Sequence, residues 1–428
     1  MALTLDVYDD ALALAARASK VFQPRTPITT KDLFAGRWGE LTKVSDAVNQ
    51  PGLHVVIYGE RGVGKTSLAN VVRPTIRALD QFGKPKGEIP ERLVIKSIGT
   101  TGDTFSTIWD KLLSEITWPI EEDAIGLTNA VKQRFATTRE AFTLKGDITV
   151  DNVRRVLAVL PGSVFIIDEF DRTADGTSKQ FTDLIKTLSD LSVDCTVIIV
   201  GVSETVGSLV ADHESINRAL VQIPLPRMKA EELRAILTNA EKTLEVEFSE
   251  DAATLIVHVS QGLPHYTHLI GLHALRNAAL KRVSPMIERT DVLEALKNAV
   301  KEAEQTVTQK HSTATHSSHK DALYRQVLLA CALAAARSHD PLGYFNPSEV
   351  VEPLNKILKR DVTIATFTNH LGEFSQDKRG KVLEKDGQPW GFRYRFHDPL
   401  LVPFAFMNAV EGGLLSGDSL VQMLNENV

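Results

Sequence analysis

The sequence predicts an α/β fold in which a parallel sheet is covered by helices, followed by an all-helical segment and a C-terminal run of three helices and a hairpin. Three observations carry this. From Leu53 to about Leu209, short β-branched runs alternate with longer stretches of helical periodicity. Within that region a glycine-rich segment, Gly59-Glu60-Arg61-Gly62-Val63-Gly64-Lys65-Thr66, separates an apolar run from a helical one. From about Lys229 the strand signal stops and helical spacing continues.

Residues 6–20 carry apolar side chains at helical spacing and predict a first helix ending before Pro24. Strands are predicted at His54–Tyr58, Leu93–Ile98, Val164–Asp168 and Thr196–Gly201, because Val-Phe-Ile-Ile and Val-Ile-Ile-Val are continuously apolar, as buried parallel strands are. A helix is expected from Thr66 to about Arg73. Ala230–Leu244, Glu250–Gln261, Tyr266–Lys281 and Arg289–Gln305 form a helical domain. Gln309–Lys320 is rich in Ser, Thr and His without apolar periodicity and predicts a linker. Beyond it come helices Leu323–Ala336, Ser348–Leu358 and Ile364–Phe374, then a hairpin of Gly380–Glu384 and Phe392–Phe396 around Asp386-Gly387, which is winged-helix order. The expected domains are therefore 1–228, 229–308 and 321–428, with 309–320 as linker.

A chain of 428 residues exceeds what one core usually serves. With 43% hydrophobic and 24% charged residues it has globular composition, and its net charge of −6 argues against a protein that coats nucleic acid by charge alone, while leaving room for a local basic surface. Cys195 and Cys331 stand far apart in apolar segments, which fits reduced core thiols rather than a disulfide framework. The first twenty residues mix Asp6, Asp9, Asp10 and Arg17 with apolar residues, unlike a secretory signal, and no apolar run is long enough to span a bilayer. A cytoplasmic protein with no membrane partner is expected.

The segment Gly59–Thr66 has the full spacing of a phosphate-binding loop, with a strand before it and a helix after it. Its glycines let successive N–H groups of Gly59, Glu60, Arg61, Gly62, Val63 and Gly64 face phosphates, and the following helix adds its positive end, with Ser67 in the first turn. Lys65 is expected on the β and γ phosphates of ATP, and Thr66 on Mg²⁺. Asp168, ending a second buried strand, supplies the anionic anchor for the metal, and Glu169 can polarise a water behind the γ-phosphate. The catalytic set read here is thus Glu169 and Lys65. His311, His316 and His319 lack accompanying ligands at metal-binding spacing and read as solvated.

On these motifs the chain resembles the AAA+ and STAND branches of P-loop ATPases, particularly origin-recognition-type initiators. Phe34-Ala35-Gly36-Arg37-Trp38-Gly39-Glu40-Leu41 is similar to the F-x-G-R-x-x-E-L element of those proteins, which implies that Phe34, Gly36 and Arg37 lie near adenine. The resemblance makes the end of Thr196–Ser203 the place of a γ-phosphate sensor. The usual asparagine is absent, and of Ser203 and Glu204 the serine is favoured, because a carboxylate facing phosphate needs a metal or a proton. It implies that Arg218 is an arginine finger reaching a neighbouring subunit of a homo-oligomer; a surface ion pair is the other reading of that residue. Gln261-Gly262-Leu263-Pro264-His265 stands where relatives have a second sensor arginine or G-x-P, so His265 contacts phosphate or, more simply, caps the following helix.

The C-terminal residues, including Tyr394-Arg395-Phe396-His397-Asp398-Pro399-Leu400, resemble the winged helix of the same families. The helix Ile364–Phe374 offers Thr366, Thr368, Asn369 and His370 to a major groove but no cation. Between Lys356 and Arg395 nine cations face five carboxylates, a net +4. Two functions are implied: an ATPase whose nucleotide state controls oligomerisation and contact with duplex DNA, or a STAND-type regulatory switch, possible in prokaryotic defence, acting through an effector protein in trans. A metabolic kinase has no use for the helical lid or the winged helix.

Overall fold

The computed structural model describes residues 5–80, 92–122, 132–160, 162–203, 206–209, 216–281, 286–319, 322–338, 340, 343–388 and 391–425. The chain forms two compact units. One comprises Ile28–Glu60 and Lys65–Pro226; the other comprises Met1–Pro27, Arg61–Gly64 and Arg227–Val428.

The first unit is built on a five-stranded parallel sheet in the order Val94–Ile98, Ser163–Asp168, Cys195–Val202, His54–Gly59, Leu220–Pro224. The four expected strands are present within a residue or two. The fifth, Leu220–Pro224, is not among the expected strands and contains a proline; at the sheet edge a proline removes no ladder bond, and Leu225 N–H continues the pairing to the Tyr58 carbonyl at 2.7 Å. On one face, helices Phe105–Ser114 and Thr177–Asp190 bury an aromatic cluster: Trp109 lies 5.3 Å from Phe165, and Phe181 lies 5.1 Å from Phe105 and 5.0 Å from Phe170. Thr104, Thr137 and Thr149 each cap a helix by accepting an N–H of its first turn. A hairpin of Thr117–Glu122 and Lys132–Thr137, also not anticipated, is appended to this unit.

The helices Ala230–Leu244, Glu250–Ser260, Pro264–Lys281 and Arg289–Glu302 of the second unit match the four helices expected from about Lys229 onward. The N-terminal helix Leu5–Val21, expected with the sheet, packs instead on Pro264–Lys281 and Ala230–Leu244, where Phe22 meets Phe248 edge-on at 6.3 Å. Gly271 makes this possible, since a Cβ there would lie 2.7 Å from the Phe22 ring. The expected linker is also corrected. Gln305–Thr315 is a helix whose Val307, His311 and Ala314 are buried, and the His311 ring packs edge-on against Phe404 at 5.1 Å. The stripe follows helical spacing, with a histidine in an apolar place.

Helices Tyr324–Arg337, Pro347–Leu358 and Ile364–Phe374 and the antiparallel pair Leu383–Asp386 with Arg393–Phe396 follow, with Phe345 joined to Tyr394 by an isolated antiparallel bridge. This is the winged-helix order. Leu401–Glu411 is buried along most of its length, and Gly417–Asn425 ends the described chain. No described helix is long and apolar enough to cross a membrane, and both cysteines are buried and unpaired.

Candidate functional site

In the sheet-bearing unit, strand His54–Gly59 carries four fully buried residues, His54, Val55, Val56 and Ile57, to the start of the glycine-rich segment. Gly59 has φ +153°, and a Cβ at that position would stand 2.3 Å from the Leu225 carbonyl oxygen, so no side chain fits. Lys65 opens the helix Lys65–Asp80. Its ammonium, almost excluded from solvent, donates to the carbonyls of Gly59 at 2.9 Å and Glu60 at 2.8 Å. Thr66 follows in the first turn, half-buried, and the Ser67 hydroxyl accepts the Ile28 N–H at 3.1 Å.

Asp168 ends its strand buried, with Oδ1 accepting the Glu169 N–H at 2.9 Å and Oδ2 2.7 Å from the ammonium of Lys96. Lys96 donates again to Asn70 Oδ1 at 2.7 Å, and Asn70 Nδ2 donates to the Ile28 carbonyl at 3.3 Å. Glu169 turns the chain out of the sheet at φ +52°, and its half-exposed carboxylate accepts from Arg172 at 2.6 Å. Asp171 uses Oδ1 to accept the Val202 N–H at 2.7 Å and so fixes the end of the neighbouring strand. Ser203 N–H reaches the Gly59 carbonyl at 3.4 Å, placing the serine beside the phosphate loop's first residue. Glu204 and His213–Ser215 lie outside the described residues.

The Phe34–Leu41 element is buried at Phe34, whose ring meets Trp38 edge-on at 6.0 Å. Gly36 and Arg37 both take positive φ, and Arg37 precedes the helix Trp38–Val48. The Arg37 guanidinium donates to the Pro226 carbonyl and lies 3.5 Å from Glu40, so it ties this element to the end of the edge strand. Arg218 is exposed and pairs with Asp190 at 2.6 Å, the surface ion pair that was its other reading.

In the second unit, the loop tip Arg61–Gly64 meets residues far along the chain. Arg61 donates to Glu304 at 2.6 Å and to Asp398 at 3.2 Å, and Lys310 lies 3.4 Å from the same Asp398 oxygen. Asp398 is buried and also accepts the Leu400 N–H at 3.2 Å, while the Leu400 carbonyl accepts from Tyr266 at 2.6 Å. Gly62 and Gly64 have φ +86° and +96°, with the Leu400 side chain 3.0 Å from where a Gly62 Cβ would be. His265, second in the helix Pro264–Lys281, does not cap it: Nδ1 lies 2.6 Å from the Pro24 carbonyl. Burial lowers its pKa below the ordinary histidine value, against the pull of that carbonyl and Glu304, so the ring is a neutral donor.

Lys96, Asn70, Glu304 and Asp398 were not singled out from sequence as site residues. Lys96 left a signal, being the one charge in Val94–Ile98. Among the described residues no cluster of three or more His, Cys, Asp or Glu could hold a metal by itself.

A family model, Novel STAND NTPase 1, matches residues 25–339, most of the chain. No curated protein matches it. Among solved structures, the chain is similar to Cdc6p from Pyrobaculum aerophilum, at 13% identity and TM-score 0.44, over 94% of this chain and 98% of that one. The Aeropyrum pernix ORC2 protein aligns at 15% identity and TM-score 0.48, over 94% and 97%. A Walker-type ATPase of Pyrococcus abyssi aligns at 15% identity and TM-score 0.47, over 90% and 99%. The chain belongs to the Novel STAND NTPase 1 family.

Proposed function

We propose that this protein is an ATP-hydrolysing regulatory switch, in which nucleotide at Gly59–Thr66 changes the ion pairs that hold Arg61. The observation that carries the reading is the attachment of a phosphate-loop residue, Arg61, to Glu304 and to the buried Asp398 of the C-terminal region. Phosphates entering the loop bring negative charge beside Arg61 and weaken its hold on both carboxylates. Asp398 then retains only the longer contact to Lys310 among the cations described above, and a buried carboxylate is costly when poorly paired. The nucleotide state is thereby transmitted to the segment around Asp398, with a coupling of about 1–3 kcal/mol typical of such links.

For the reaction, Lys65 moves its ammonium from the two loop carbonyls to the phosphates, and Ser203 senses the γ-phosphate from the end of its strand. Glu169 exchanges its pair with Arg172 for a water and takes that water's proton as it attacks the γ-phosphorus, giving ADP and phosphate. The Asp168 carboxylate and the Thr66 hydroxyl are hard oxygen donors suited to Mg²⁺, and the ion pair between Asp168 and the Lys96 ammonium is consistent with a cation at that carboxylate. Bound there, Mg²⁺ would neutralise charge on the phosphates. Phe34 supports the adenine side, and Arg218 serves a homo-oligomer only if its pair with Asp190 opens.

A duplex-bound form is less well supported. Arg379 is engaged by Glu373 and by the His316 carbonyl, Arg393 by Asp386, Arg395 by Glu384 and Lys356 by Glu352. Of the other five cations, Lys385 lies over the Phe392 ring at 3.5 Å and Lys359, Arg360, Lys378 and Lys381 are exposed, enough for about four phosphate contacts and a log–log salt slope near −4. The output is then an effector protein acting in trans. Phosphate release and analytical sizing with ATP and ADP, for wild type and Glu169→Gln, test the proposal. An ATP-dependent change in size or shape without DNA supports it; no hydrolysis and no nucleotide-dependent change defeats it.

A further inference from the structure

We infer that Lys96 is the resident counter-cation of Asp168, which holds the carboxylate in the nucleotide-free protein and gives it up when a divalent cation arrives. The inference deepens the reading of Asp168 as a metal anchor and rests on it. Strands Val94–Ile98 and Ser163–Asp168 are parallel neighbours with Ile98 opposite Asp168, so Lys96, two residues back on the same face, lies diagonally across from the carboxylate. Its ammonium is shared between Asp168 Oδ2 and Asn70 Oδ1, each at 2.7 Å. Asn70 belongs to the helix that follows the phosphate loop and is itself oriented by the Ile28 carbonyl.

In this geometry Lys96 touches two acceptors at once, one charged and one neutral. While Asp168 has no other cation, the ammonium compensates a carboxylate that is almost wholly buried. A divalent cation close to Asp168 Oδ2 repels the ammonium, and Asn70 provides an acceptor already in contact, so Lys96 withdraws without losing all its hydrogen bonds. An aspartate left uncompensated in the empty site would bind metal alone or destabilise the sheet. With Lys96 in place, metal is admitted chiefly with the phosphates that help to hold it, so metal and nucleotide bind as a unit.

The test is thermal unfolding of the nucleotide-free protein with and without millimolar Mg²⁺. Wild type is expected to show little shift. Lys96→Met is expected to unfold several degrees lower and to recover at least half the loss when Mg²⁺ is added, whereas Lys96→Met/Asp168→Asn shows no response to the metal. Equal Mg²⁺ shifts in wild type and Lys96→Met, or a folded Lys96→Met that ignores Mg²⁺, overturn the inference. Should Lys96→Met not fold, Lys96→Gln keeps a neutral donor toward both oxygens and must show the same metal rescue. If neither single variant folds, the double variant must, because it removes both charges, and its failure also overturns the inference. Since no nucleotide is present, failure here is distinct from failure of the ATPase reading, which is decided by ATP binding and phosphate release.

Discussion

Arg61, in the tip of the phosphate loop, lies 3.2 Å from Asp398 across 337 residues of sequence, and the buried carboxylate makes that pair sensitive to any new charge at the loop. The expected behaviour of the protein follows from this pair and from the proposed roles of the residues around the loop.

Lys65→Ala removes the ammonium now held by Gly59 and Glu60. Nucleotide at a hundredfold excess over its Kd is expected to stabilise wild type by about 2.7 kcal/mol. In Lys65→Ala that stabilisation should be lost at the same nucleotide concentration, as read by thermal unfolding with ADP and ATP. A full shift in the variant would place the nucleotide elsewhere.

Glu169→Gln keeps the turn at φ +52° but removes the base. Hydrolysis is expected to fall by about a hundredfold or more with ATP affinity within a few-fold of wild type. Single-turnover phosphate release and equilibrium binding separate the two effects. Loss of binding with hydrolysis per bound nucleotide unchanged would give Glu169 a different role.

Gly59→Ala is expected to destabilise the sheet-bearing unit, since its Cβ would meet the Leu225 carbonyl at 2.3 Å. Relieving that contact shifts the edge strand, at a cost on the order of 1–3 kcal/mol. Gly102→Ala is the matched comparison, with positive φ but open space around it. Urea unfolding should rank the Gly59 variant clearly below it.

Acid sensitivity should begin near neutrality. Burial lowers the pKa of His54, His268 and His311 to about 4 each, and His54 Nδ1 accepts the Val197 N–H at 3.0 Å, a bond only the neutral ring can make. A histidine with a depressed folded pKa binds fewer protons folded than unfolded between about pH 6.5 and 4, so stability falls as pH falls through that window. Each contributes on the order of 1 kcal/mol per pH unit there. Unfolding between pH 7.5 and 4.5 measures it; a flat profile would mean these rings protonate without disturbing the fold.

Much of this was legible in the sequence because it is locally encoded. The loop Gly59–Thr66, the apolar strand before Asp168 and the helices Ala230–Leu244 and Ile364–Phe374 follow from spacing within a few residues. Leu220–Pro224 was hidden by prolines that only an edge position tolerates, and Thr117–Glu122 by Pro119 and its charges. Gln305–Thr315 was missed because His311 fills an apolar place in its buried stripe. Lys96 was visible as a charge in a buried strand, but its partner depended on which strand lies beside it. The clamp on Arg61 had no local signal, since Glu304 and Asp398 are brought to it only by the folded chain.

The most direct test of the switch is the equilibrium affinity of ATP for Asp398→Asn, measured beside wild type and Lys65→Ala. If nucleotide and the Asp398 carboxylate compete for Arg61, neutralising that carboxylate should tighten ATP binding about five- to twentyfold, corresponding to a coupling of roughly 1–2 kcal/mol. Affinity that is unchanged or weaker in Asp398→Asn would contradict the claim that nucleotide acts on the C-terminal region through Arg61.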